Sequence, residues 1–150
     1  MKIKILVLLS ILTSFSSITF PQLRIEITEG VKDPLRIAIT PIAWDLAQPP
    51  RIFLHQIISS DLESFSEFEA LIPKEMLSLP QNEKEVFYRD WRLLDVDYLV
   101  VGSASQGALP DGVVVTFSII NISREKVIKR SISSGSANYL TTLAHVMSDR

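Results

Sequence analysis

"WRLLDVDYLVVG", residues 91–102, changes its period halfway. Trp91 and Leu94 stand three apart, as on one face of a helix, and with Val86 and Phe87 they make Glu83–Leu94 an amphipathic helix. From Val96 to Gly102 the chain is β-branched and aromatic, which suits a pleated, packed strand. A helix that runs directly into an apolar strand implies a sheet covered by helices. Downstream, Pro110-Asp111-Gly112 is a turn, and Val113–Ile120 and Lys126–Ser133 are two strands. The short connection Asn121–Glu125 makes those two antiparallel neighbours, and Ala137 begins a last helix. Upstream, Phe68–Ile72 is a short strand stopped by Pro73, and Lys74–Pro80 is a turn or a single helical turn. Leu54, Ile57, Ile58, Leu62 and Phe65 recur at helical spacing, with His55, Ser59 and Glu63 on the opposite side.

The remaining upstream segment repeats itself. "LRIEIT", residues 23–28, returns as "LRIAIT", residues 35–40, across Glu29, Gly30 and Val31 and the break Asp33-Pro34. In the first copy Leu23, Ile25 and Ile27 face one way and Arg24, Glu26 and Thr28 the other. In the second copy Ala38 replaces the central Glu, so both faces can be covered at mid-strand and this copy is the better central strand. Docking the first copy buries three aliphatic side chains at about 1.5–3 kcal/mol each. Its ladder hydrogen bonds add about 0.5–1.5 kcal/mol apiece. Fixing six backbones costs about 1–2 kcal/mol each. The balance lies near zero, which suits either a segment that docks and detaches or an ordinary edge strand. The order is β-β-α-β-α-β-β-β-α, and the expected fold class is α/β, a mixed parallel/antiparallel sheet flanked by helices.

A 150-residue chain with 47% hydrophobic residues can bury a core of one domain. Lys2 and Lys4, the apolar run Ile5–Leu12 and the Ser/Thr-rich stretch Thr13–Thr19 form a secretory signal peptide, placed at residues 1–21. The apolar run falls well short of the roughly 20 residues that span a bilayer. Losing Lys2 and Lys4 takes the formal charge from −2 to −4, and no basic block tracks phosphates, so nucleic acid is not an expected partner. With no cysteine, an exported chain has no disulfides and no lipid-bearing cysteine, and its core alone holds it.

Chemistry-bearing motifs are sparse. The Gly102–Gly107 stretch lacks the spacing and the Lys of a phosphate-binding loop, and no nucleophile elbow follows a strand. His55 and His145 lie far apart, and no ligand cluster has metal-site spacing. Asp95 and Asp97 bracket the helix-to-strand boundary, where Asp commonly satisfies backbone donors. Neither a cofactor, a metal nor a small-molecule substrate is expected. A hydrolase built on Asp95, Asp97 or His145 is the enzymatic alternative.

Several stretches together resemble one family, the N-terminal domain of TolB-type periplasmic proteins of the Tol-Pal system. They are Arg24-Ile25, Ile27, Gly30 and Val31; Pro41 and Trp44 in "TPIAW"; Asp61-Leu62 and Phe68; Trp91, Leu94, Asp97, Val100, Val101 and Gly102; Pro110-Asp111-Gly112; and Ala144, His145, Ser148 and Asp149. One departure is Asp95, where the family usually has Gly; Asp tolerates the left-handed conformation better than most residues. The resemblance implies a non-enzymatic periplasmic interaction protein serving outer-membrane integrity and envelope invagination at division. It implies peripheral association with the envelope. It also implies that the mature N-terminal segment is a switchable arm engaging the C-terminal domain of TolA. Here that arm is Leu23, Arg24, Ile25, Glu26, Ile27, Thr28, Glu29, Gly30 and Val31, within an arm-and-hinge region at 22–34 ahead of a globular domain at 35–150. Family members complete the last helix and carry a six-bladed β-propeller that binds Pal. The propeller is absent from this chain, so Pal is implied only if one exists beyond it. Related α/β domains of envelope assembly, of the curli-secretion or penicillin-binding-protein-activator type, are the non-enzymatic alternative.

Overall fold

Leu35–Ile39 (β1) lies between Phe68–Leu71 (β3) and Tyr98–Gln106 (β4) and runs parallel to both. The computed structural model describes residues 33–47, 49 and 51–149, so the arm Leu23–Val31 lies outside the described residues. Gly112–Asn121 (β5) pairs antiparallel with β4, and Lys126–Ser136 (β6) pairs antiparallel with β5, giving the sheet order β3-β1-β4-β5-β6. A three-residue strand, Ala43–Asp45 (β2), joins parallel to the second half of β4, beyond the end of β1. The sheet is mixed, as the sequence order implies. Three short helices flank it: Leu54–Glu63 (α1), Tyr88–Leu93 (α2) and Leu140–Ser148 (α3).

Period-two alternation sends each strand's side chains to two cores. Ile37, Ile39, Val100, Val115 and Phe117 meet Leu54 and Ile58 of α1 and Leu140, Ala144 and Met147 of α3. Ala38, Leu99, Val101 and Ile120 meet Trp91 of α2 with Leu71 and Val96 on the other side. The second copy of the repeat is thus an interior strand covered on both faces. Thr40 extends it: its hydroxyl donates to the carbonyls of Pro80 (3.0 Å) and Val100 (3.2 Å), which satisfies a buried polar group and ties the 76–80 segment to the sheet.

Several expected boundaries differ, each for a local reason. The segment expected as one helix over Glu83–Leu94 is a 3₁₀ turn, Glu83–Glu85, followed by α2. Val86 and Trp91 are buried as expected, but Phe87, just ahead of the helix, is 67% exposed. The strand expected from Val96 begins at Tyr98, because the Val96 N–H closes the end of α2. His55, expected on the polar side of α1, is buried, and the exposed ring of Phe53 meets it edge-on. Phe65, expected on the apolar face of that helix, is exposed beyond its end. The short strand β2 was not foreseen.

Candidate functional site

The arm on which the sequence places partner binding, Leu23 to Val31, is outside the described residues. The described residues nonetheless fix where it joins the domain. Leu35 N–H donates to the Glu67 carbonyl (2.8 Å), and Arg36 is held by three groups. Its guanidinium donates to the Leu94 carbonyl (2.6 Å) and faces Glu69 (3.3 Å), while its N–H donates to Asp97 (2.9 Å). The chain therefore enters the sheet at a rigid point beside the α2–β4 corner.

That corner also settles the roles of the two candidate acids. Asp97 accepts the Arg36 N–H and returns its own N–H to the Arg36 carbonyl (2.9 Å). Asp95 adopts φ 53° one residue past the Leu94 cap of α2. Asp95 N–H reaches the Arg92 carbonyl and Val96 N–H the Trp91 carbonyl, both at 3.1 Å. This is a Schellman ending, with Val96 and Trp91 sharing the core beneath it. His145 lies elsewhere, on α3. The three residues of the proposed hydrolase do not come together.

Two side-chain clusters do form that the sequence did not reveal. On the helix-covered side, one oxygen of Asp61 in α1 takes the His145 ring nitrogen (2.7 Å) and the Ser148 hydroxyl (2.5 Å) from α3. The Ser148 bond first, with the bond and charge of His145 adding to it, holds the Asp61 carboxyl below its usual 3.8 against the opposing effect of burial, which exceeds either His145 contribution alone. His145 and Ser148 are three apart in the sequence and so share a helix face, which was the one available signal. Beside this clasp, an apolar groove of about 230 Å³ opens between the two helices and the sheet, walled by Ile37, Ile58, Leu62, Phe68 and Met147.

On the opposite face, beyond the cover of α2, Glu83 receives two bonds of 2.6 Å from Arg130 of β6 and one of 2.6 Å from the Ser118 hydroxyl of β5. The paired guanidinium first, and the hydroxyl second, hold the Glu83 carboxyl below its usual 4.5. An open cleft of about 450 Å³ follows this cluster, lined also by Gln81, Asn82 and Lys84. In each cluster a serine hydroxyl donates to the carboxylate, and in the first the His145 ring meets Asp61 rather than Ser148. Among the described residues no three His, Cys, Asp or Glu gather to hold a metal ion, and no helix is long and apolar enough to cross a membrane. What the geometry offers at β1 is rigid support for a strand entering the sheet.

Comparison with known proteins bears on that reading. Residues 23–128 match the family described as the TolB amino-terminal domain. The Tol-Pal system protein TolB of Marinomonas sp. (strain MWYL1) is 36% identical over 138 residues, covering 91% of this chain and 32% of the relative. That of Alcanivorax borkumensis is 33% identical over 129 residues, covering 86% and 29%. The chain thus spans about a third of the length of these curated relatives. Among solved structures, TolB from Acinetobacter baumannii superposes with a TM-score of 0.63 at 20% identity, over 78% of this chain and 27% of that one. The LpoB C-terminal domain from Salmonella enterica superposes with a TM-score of 0.56 at 8% identity, over 72% of this chain and 87% of that domain. At such identities these likenesses concern the fold alone.

Proposed function

Because the chain belongs to the TolB amino-terminal domain family, and so to the TolB-type proteins of the Tol-Pal system, we propose that it is a non-enzymatic periplasmic interaction domain whose arm, Leu23–Val31, engages the C-terminal domain of TolA. The observation that carries this reading is where the family match begins: at residue 23, so that the arm itself belongs to the family pattern. The export signal accounts for a periplasmic setting, with peripheral association to the envelope.

An extended segment recognises a partner by adding to an exposed sheet edge. Main-chain hydrogen bonds supply affinity and alternate side chains supply specificity. Leu23, Ile25 and Ile27 are the docking side chains, Arg24, Glu26 and Glu29 the polar contacts, and Gly30 the hinge. Order and disorder of this arm couple partner occupancy to its exposure, and through it the domain serves outer-membrane integrity and envelope invagination at division. Pal enters only if a β-propeller exists beyond this chain. The likeness to the LpoB C-terminal domain concerns the fold alone and assigns no partner here.

The test is a binding titration of residues 22–150 against the periplasmic C-terminal domain of the cognate TolA, beside a version that starts at Lys32. Binding lost on deletion places the function in the arm. Equal binding by both moves the site to the globular body, and no binding by either folded protein sinks the assignment to TolA.

A further inference from the structure

The two copies of the repeat differ at one position in six, and the structure shows what that position meets. β1 occupies a slot between β3 and β4, with Ile37 opposite Ala70 and Tyr98, and Ala38 opposite Leu71 and Leu99. Five of the six side chains that the slot receives have an identical counterpart twelve residues earlier: Leu23 for Leu35, Arg24 for Arg36, Ile25 for Ile37, Ile27 for Ile39 and Thr28 for Thr40. Arg24 thus carries the same group as Arg36, whose guanidinium the Leu94 carbonyl and Glu69 hold in place, and Thr28 the same group as Thr40, whose hydroxyl bonds Pro80 and Val100. Only the sixth differs. Ala38 is 0% exposed and packs among Leu71, Trp91, Leu99 and Val101.

We propose that Glu26 is the residue that keeps the first copy out of this slot, so that the sheet selects Leu35–Thr40. A carboxylate at the Ala38 position would sit among apolar side chains, and Arg36, two residues away on the same strand face, is already engaged by the Leu94 carbonyl and Glu69; burying an unpaired charge is prohibitive. Strand register is fixed wherever a face is buried, but hydrophobic pattern alone does not separate two copies that share it. The separation comes from one charge. The connection to Ile42 and β2 does not provide it, since closure entropy grows only with the logarithm of loop length and twelve extra residues are readily spanned. Without the charge, the first copy competes for its own β1 slot or for that of a neighbouring chain, which is the route to strand exchange between molecules. The inference needs no TolA: it concerns which segment the domain accepts.

Two variants of the exported chain test it, read by hydrogen exchange resolved over residues 23–28 and 35–40 and by thermal unfolding. Ala38→Glu puts a carboxylate in both copies, and the expected result is loss of protection across the sheet with at least a tenfold rise in the unfolded fraction. Glu26→Ala with Ala38→Glu restores one acceptable copy, now the first. The expected result is recovery of cooperative unfolding with the protection pattern inverted: residues 23–28 protected and 35–40 exchanging. An Ala38→Glu protein as stable as the parent overturns the proposal, because the slot then accepts a carboxylate. A double variant as unfolded as Ala38→Glu overturns it equally, because the first copy then does not fit.

Discussion

Glu83 and Arg130 are 47 residues apart and meet through two bonds of 2.6 Å, a side-on pairing of both carboxylate oxygens with the guanidinium Nε and one terminal nitrogen. The Ser118 hydroxyl adds a third bond from the neighbouring strand. Three elements, the 3₁₀ turn Glu83–Glu85, β5 and β6, are therefore pinned on the half of the sheet that α2 leaves open. Bidentate geometry makes such a pair specific in position even where solvent weakens it.

Replacement of Glu83 by Gln is expected to loosen that turn at neutral pH without unfolding the domain. Because the carboxyl is held below its usual 4.5, its contribution is present above the unfolded-state value and disappears as pH falls through the folded one. Denaturation midpoints of parent and variant should therefore differ at pH 7 and converge in acid. Faster amide exchange over residues 81–86 in the variant, at neutral pH alone, is the local signature. A constant gap between the two midpoints at every pH would contradict the role given to the charge.

The Schellman ending of α2 leads to a second prediction. Asp95 holds φ 53°, a conformation that costs ordinary L-residues roughly 1–2 kcal/mol and short polar residues less. Glycine adopts it freely but loses more chain entropy on folding, about 0.5–1 kcal/mol. Asp95→Gly should therefore leave stability within about 0.5 kcal/mol of the parent, whereas Asp95→Val, β-branched at positive φ, should cost about 1–2 kcal/mol or more. Chemical denaturation distinguishes the two, and a Val variant as stable as the Gly variant would show that the cap carries no conformational demand.

The contrast between these two features shows what the chain's sequence reveals and what it hides. The ending of α2 is readable because the helix, its cap and the strand it feeds are contiguous, and Asp95 stands at the joint. The β5–β6 hairpin and the interior status of Leu35–Thr40 are readable for the same reason: alternation and turn residues are local. The Glu83–Arg130 pair is not, because it depends on the register of β5 with β6, including the irregularity between Ile119 and Ile120. The Asp61–His145–Ser148 clasp is hidden likewise, since it requires α1 and α3, more than 80 residues apart, to lie side by side. β2 escapes because three residues carry too little pattern. His55 is misplaced by helical spacing because the preceding Phe53, outside the helix, folds its ring against it.

His55 also sets the pH range in which the domain first weakens. It is buried on the first turn of α1, and burial pushes its pKa below the usual 6.5. The folded chain therefore binds fewer protons there than the unfolded chain. The sign follows: the neutral ring's contribution is complete above about 6.5 and is lost as pH falls from that value toward the folded one. Asp61 and Glu83 act later, below their usual 3.8 and 4.5, because their carboxylates are the favoured forms. Two acid steps are thus expected, a first from the imidazole and a second from the carboxylates. His55→Leu should abolish the first and leave the second, flattening stability just below pH 6.5 while the loss below pH 4.5 persists. Thermal midpoints measured across that range check the assignment. A variant that keeps the parent's slope just below pH 6.5 would place the first step on another group.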